Sequence, residues 1–318
     1  SDRIVSLVFV TTTHALQPHS LFPPIHMGRY AQFVIGPAGS GKSTYCHAIQ
    51  QHCAQNNRSV HIINLDPAAD NFSYTPSFDI QSLITVDEVM KAYGYGPNGA
   101  LMYCMEFLTR NLDWLSEELQ DYQEDYLIFD CPGQIEIFTS HDYMNIITSE
   151  LDRIGYRVCG VYCMDALFTL DLKKFISGSM VCLSAMVRLG VPHLSVLTKC
   201  DLIQDKSRLE KLLDSDALDV VADMEQEEKE KRVRRGKKSN QKDRFSDLTH
   251  AMGDLLSDYS LVNFLTLDLS DDDSFERMLQ LVDHTLQYGE DEEIDDKKHL
   301  QNEEMNNERL DESAAGAF

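Results

Sequence analysis

The octapeptide GPAGSGKS, Gly36 to Ser43, has the spacing G-x-x-x-x-G-K-[ST]. Glycines at such positions let the backbone wrap phosphate oxygens, with N–H groups pointing inward at the start of a helix. Lys42 is then expected to reach the β- and γ-phosphates, and the Ser43 hydroxyl to bind Mg²⁺. A second motif, DCPGQ, spans Asp130 to Gln134. An acid closing the apolar run YLIFD is placed to hold Mg²⁺ through water, and Gly133 to offer its N–H to a γ-phosphate. A third, TKCD, spans Thr198 to Asp201. A carboxylate there accepts two hydrogen bonds from guanine N1–H and the 2-amino group. Adenine presents neither donor, so a buried Asp201 would stay unpaired against it. The Lys199 stem can lie along the base. Alone, D-x-x-G is common and Asp201 could be a helix cap. In series after a phosphate loop, the three motifs describe a guanine-nucleotide site.

Two further stretches admit both a structural and a chemical reading. NLDPA, Asn64 to Ala68, places Asp66 at the end of an apolar run. An Asp-Pro turn explains it, and so does a contact with γ-phosphate, Mg²⁺ or water. Gly96-Pro97-Asn98-Gly99 separates two segments of helical spacing, 79–92 and 100–120. It has the composition of a turn, yet Pro97 stiffens it and Asn98 supplies an amide that could reach a phosphate.

These residues need a frame that brings distant positions together. YAQFVIG, SVHIINLD, YLIFD, VCGVYCMD, HLSVLT and LVNFLTL read as short buried strands, and 42–55 and 173–189 as helices. Such alternation implies an α/β fold, a mainly parallel sheet flanked by helices. The strong patterning runs from 28 to 289. Residues 1–27 read as a disordered extension, a start-site artefact more readily than a targeting segment despite IVSLVFV. A charged helical insert covers about 204–246. It is read as a solvated helix or loop, or more sharply as a docking patch or import signal. The stretch 290–318 reads as a disordered acidic tail.

Among the 318 residues, 28 Lys and Arg face 52 Asp and Glu, a formal net charge of −24. That field excludes direct nucleic-acid binding through overall charge, and no apolar run is long enough for a membrane span. Eight cysteines without a C-x-x-C pair read as reduced, buried thiols of a cytoplasmic protein.

The motifs in this order, with GYGPNGALMYCME between NLDPAA and DYLIFDCPGQIE, resemble the GPN-loop GTPases over about residues 28–289. The resemblance implies a P-loop GTPase fold of the all-parallel, signal-recognition-particle-like class, with GTP/GDP and Mg²⁺ as ligands. The family's phosphate-loop roles fall on Gly39, Ser40, Gly41, Lys42, Ser43 and Thr44. Its switch-like acid falls on Asp66, its magnesium-linked acid on Asp130 and its base readers on Lys199 and Asp201. Gln134 and Glu136 match its D-x-P-G-Q-x-E run as candidates for positioning water. The resemblance also implies a homodimer, or a heterodimer with a sister GPN-loop GTPase, in which Asn98 enters the partner's γ-phosphate region. It further implies work on RNA polymerase II subunits in assembly and import, with shuttling to the nucleus. Where the family's base-closing segment has Pro-Tyr, this chain has Thr266-Leu267. Slow GTP hydrolysis is the expected activity, since no arginine finger is evident. A polynucleotide kinase would leave the TKCD motif idle, and a non-catalytic nucleotide-bound adaptor would keep every contact without turnover.

Overall fold

A computed structural model describes residues 28–122, 126–213, 246–258 and 263–289, with a few positions between 219 and 226. The expected extension at 1–27, the tail at 290–318 and most of the charged insert lie outside the described residues.

Seven strands form one sheet: β1 (Arg29–Ile35), β2 (Val60–Asn64), β3 (Phe78–Asp79), β4 (Tyr126–Asp130), β5 (Tyr156–Asp165), β6 (His193–Thr198) and β7 (Phe264–Thr266). Their order is β3-β2-β4-β1-β5-β6-β7, and every pairing is parallel. After β1 the chain moves to one side of it, and after β4 to the other. The crevice beside β1 is therefore the topological switch point, where open α/β sheets bind ligands. Register fixes what meets there. Val34 pairs with Asp130, Asn64 pairs with both Asp130 and Asp79, and Asp165 pairs with Thr198.

Alternation along the strands sends side chains into two cores. Phe33, Ile35, Leu127, Phe129 and Tyr162 face α2 (Val86–Tyr93), α3 (Pro97–Arg110), α6 (Tyr143–Arg153) and α7 (Leu172–Leu189). Tyr30, Val34, Ile128, Val161 and Val196 face α1 (Lys42–Gln55) and a C-terminal helix, α10 (Asp272–Leu286), which follows α9 (Ser246–Asp258) in the chain. Phe275, Met278, Leu279, Val282 and Leu286 supply α10 with its apolar stripe. The buried polar residue of β1, Gln32, is satisfied: it donates to the Tyr126 hydroxyl at 2.5 Å and accepts from Tyr45 at 2.8 Å. All eight cysteines are buried free thiols. Among the described residues no helix is long and apolar enough to cross a membrane.

The helix expected over 79–92 begins only at Val86. Thr85 and Glu88 form a reciprocal capping box there, while Phe78–Asp79 pairs as a strand and Ile80–Ser82 forms a single 3₁₀ turn. The helix expected over 100–120 starts earlier, at Pro97, and breaks at Asn111. The Asn111 amide donates to the Phe107 carbonyl at 2.7 Å, closing α3 before α4 (Leu112–Glu118) begins. The short α5 (Ile135–Thr139), together with α6 and α10, comes from segments for which the sequence suggested no element.

Arg58, just after α1, grips Asp283 of α10 through two hydrogen bonds of 2.7 Å. Its guanidinium lies 4.4 Å from the Tyr126 ring centre and 4.0 Å from that of Tyr288. Both charges are mostly buried, so Asp283→Asn leaves a cation short of its partner. We expect the variant to lose about 2 kcal/mol of stability, read as a lower urea midpoint. An unchanged midpoint would show that the pair contributes nothing to holding α10 on the sheet.

Candidate functional site

The phosphate loop connects β1 to α1. Gly36 has φ 142°, and a Cβ there would lie 2.3 Å from the Cys163 carbonyl oxygen of β5. Only glycine lets the two main chains touch so closely. The Lys42 ammonium donates to the carbonyls of Gly36 at 3.1 Å and Pro37 at 3.2 Å, folding back over the loop. The N-cap of α1 is Gly41, which has no side chain to cap the helix, and its first turn carries no acid. The N–H groups of that turn, which includes Lys42, Ser43 and Thr44, thus keep their pull on an anion. The buried Ser40 hydroxyl finds no hydrogen-bond partner among the described residues. A buried hydroxyl without a partner, inside a loop of this shape, fits a phosphate oxygen as its acceptor.

On one side of the loop stands Asp130, 4% exposed at the end of β4. Burial raises its pKa, while the hydroxyls of Ser43 and Tyr74 and the charge of Lys42 pull it back. Asp66 follows β2, accepts from the Ala68 N–H at 2.9 Å and is likewise pushed up, first by burial. Asn64 sets its position. The Asn64 amide donates to the Asp66 carbonyl at 2.9 Å and to Asp79 at 2.8 Å, and its oxygen accepts from the Asp66 N–H at 3.0 Å. Gly133 presses against the loop, since a Cβ there would sit 2.8 Å from Ala38 Cα.

On the other side, β6 delivers the third motif. The Thr198 hydroxyl donates to the Ser40 carbonyl at 2.6 Å. Lys199, held at φ 61°, donates to the Gly39 carbonyl at 2.6 Å and to Asp165 at 2.7 Å. Asp201 follows in a 3₁₀ turn, Cys200–Leu202. Its carboxylate, expected to be buried, is exposed. The segment after β7 runs alongside: the Leu267 N–H donates to Leu197 at 2.8 Å and its carbonyl accepts from Cys200 at 3.4 Å. Lys206, from α8 (Lys206–Leu213), pairs with Asp268 at 2.8 Å and, with Ser270, draws its pKa down to about 2.

The Gly-Pro-Asn-Gly stretch is a helix start rather than a loop. Gly96 is the N-cap of α3 and Pro97 its first residue, where the missing N–H matters least. The Gln134 amide donates to Asn98 Oδ1 at 3.2 Å within the same chain, so the α3 start reaches the edge of its own site. Glu136, in the first turn of α5, is exposed.

Phosphate-loop residues, Asp66, Asp130, Gly133, Gln134, Asn98, Lys199 and Asp201 therefore gather at one sheet edge. Asn64, Tyr74, Asp79 and Asp165 join them without having been singled out. Asp165 ends an apolar strand just as Asp130 does, so its signal was present; Tyr74 carried none. Magnesium fits the donor set. The Ser43 hydroxyl and the Asp130 carboxylate are hard oxygens, and Mg²⁺ is commonly held by one or two carboxylates with phosphates and waters. Among the described residues no three His, Cys, Asp or Glu gather in a way that could hold an ion by themselves.

Residues 34–288 match a family described as conserved hypothetical ATP binding protein. The chain is similar to GPN-loop GTPase 3 of Dictyostelium discoideum, 49% identical over 268 residues, 83% of this chain and 90% of that protein. It is 44% identical over 284 residues to GPN-loop GTPase 3 of Danio rerio, covering 88% and 95%. The crystal structure of a GTPase in apo form from Pyrococcus abyssi superposes with a TM-score of 0.64 at 24% identity, covering 80% of this chain and 97% of that one. That likeness speaks for the fold. On the extent of the sequence matches, the chain belongs to the GPN-loop GTPase family.

Proposed function

We propose that this protein binds GTP and hydrolyses its terminal phosphoanhydride in a Mg²⁺-dependent cycle. One observation carries the reading. Thr198 and Lys199, which open the base-reading motif, hydrogen-bond the carbonyls of Ser40 and Gly39 in the phosphate loop. A single nucleotide can therefore span both. The matched family's description speaks of ATP, whereas Asp201 follows Lys199 as an exposed acceptor suited to guanine. We weigh the carboxylate more heavily, because two donors on guanine satisfy it and adenine leaves it unpaired.

The first turn of α1 and the Lys42 charge bind the phosphates. Bound Mg²⁺ would offset charge on the β- and γ-phosphate oxygens. Asp66, held by Asn64, and the amides of Gln134 and Asn98 orient water for in-line attack. Phosphoryl transfer needs positioning and charge stabilisation more than covalent help. Residues 91–99 are exposed throughout, and Tyr93 and Tyr95 are 57% and 47% exposed beside the α3 start. Such a surface suits a partner. We propose a homodimer or a heterodimer with a sister GPN-loop GTPase, in which Asn98 leaves Gln134 for the partner's site. A role in assembling and importing RNA polymerase II, with movement between cytoplasm and nucleus, rests on the family resemblance alone.

Competition against labelled GTP by GTP, GDP and ATP, with phosphate release followed alongside, tests the reading. GTP and GDP should displace the label and ATP should not. Asp201→Ala should weaken GTP binding roughly 100-fold and xanthosine triphosphate binding less, since xanthine has a carbonyl where guanine has its amine. Equal displacement by ATP in the wild type would overturn guanine selection.

Asn98→Ala should lower hydrolysis by about 10- to 100-fold while leaving GDP affinity unchanged, because GDP lacks the γ-phosphate. Mixing Asn98→Ala with Lys42→Ala protomers should restore part of the turnover, since one mixed site combines an intact Lys42 with an intact Asn98. No recovery in mixtures shown to form heterodimers would place Asn98 at its own chain's site.

A further inference from the structure

The segment between β2 and β3 reaches both the start of α1 and the end of β4. The Ser73 hydroxyl donates to the Ser43 carbonyl at 3.4 Å. The Tyr74 hydroxyl donates to Asp130 Oδ2 at 2.8 Å. Tyr74 is 6% exposed, with its ring 5.5 Å from that of Phe72. The segment is pinned at both ends, by Asn64 and Ala68 around Asp66, and by the Ser77 N–H, which donates to the Ile62 carbonyl at 2.7 Å. Asp66 and Tyr74 thus sit on one short connection, the first facing the phosphate loop and the second holding Asp130.

A carboxylate has two oxygens and about four acceptor sites. The Tyr74 hydroxyl takes one on Oδ2 and fixes the rotation of the group. Ser43 bonds the same carboxylate, and the remaining sites can accept from cation-bound water. Outer-shell partners of a metal site orient the groups that hold the ion, and losing one typically lowers metal affinity by 10- to 100-fold.

We propose that Tyr74 is a positioning residue for the magnesium site. Its hydroxyl orients Asp130 and ties the ion to the segment that carries Asp66. The inference rests on the nucleotide reading above and adds a route between them. An ion that draws on Asp130 also acts on the connection bearing Asp66, through one hydrogen bond. Tyr74→Phe removes that bond and keeps the ring against Phe72.

The test uses the full chain loaded with a fluorescent N-methylanthraniloyl GDP. Nucleotide release is timed over a Mg²⁺ titration and in EDTA. Wild type should release nucleotide more slowly as Mg²⁺ rises. Tyr74→Phe should need about tenfold more Mg²⁺ for half of that slowing, with release in EDTA within twofold of wild type. In an Asp130→Asn background, Tyr74→Phe should shift the Mg²⁺ half-point no further, since it acts through Asp130. An unchanged half-point, a shift that persists without the Asp130 carboxylate, or an equal change in EDTA would overturn the positioning role. A wild type whose guanine-nucleotide release ignores Mg²⁺ would overturn the nucleotide reading as well. The two failures are therefore distinguishable.

Discussion

The site depends on main chains being allowed to touch. The phosphate loop lies between the end of β5 and the turn after β4, and at each side a glycine removes the atom that would collide. At Gly36 the obstacle is the Cys163 carbonyl, and at Gly133 the backbone of Ala38. A side chain at either place would force strands apart whose spacing is set by their hydrogen bonds. Both contacts involve backbone, which cannot swing aside as a flexible side chain can. The loop's shape is therefore a property of three strand ends together rather than of its own eight residues.

Once held, the loop is sorted by polarity. Side chains claim its carbonyls: Lys42 those of Gly36 and Pro37, Lys199 that of Gly39, and Thr198 that of Ser40. The helix start that follows has no side-chain cap. Acceptors are thus satisfied from the protein while the donors of the first helical turn remain available for an anion. Two of these side chains, Thr198 and Lys199, come from the end of β6 and the residue after it, the stretch that leads to Asp201.

Much of this was legible in the chain. Apolar runs ended by acids gave the strands and their carboxyl edge, because a strand buried on both faces must be apolar until it meets polar ground. Glycine, lysine and serine spacing gave the phosphate loop, since that geometry tolerates few alternatives. What escaped depends on distant partners. The two-residue β3 exists only because β2 offers it an edge, and its local spacing looked helical. Asn64 and Tyr74 matter through Asp79 and Asp130, far along the sequence. Asp201 lies beyond the end of β6, in a 3₁₀ turn, and is exposed there. Pro97 and Asn98 looked like a turn because a helix's first turn and a reverse turn favour the same residues.

The cysteines divide evenly between the two faces of the sheet. Cys46, Cys53, Cys159 and Cys163 lie in the core beneath α1 and α10, and Cys104, Cys131, Cys182 and Cys200 in the core beneath α2, α3, α6 and α7. Burial raises every one of their pKa values, to about 12 for Cys163 and Cys182 and about 11 for Cys104 and Cys200. In the closed state a thiol reagent meets neither an accessible sulfur nor a thiolate. Alkylation then proceeds at the pace of local opening, and peptide mapping assigns each modified sulfur to one face. The chain carries, without any added label, a built-in pair of clocks that time the breathing of its two layers separately.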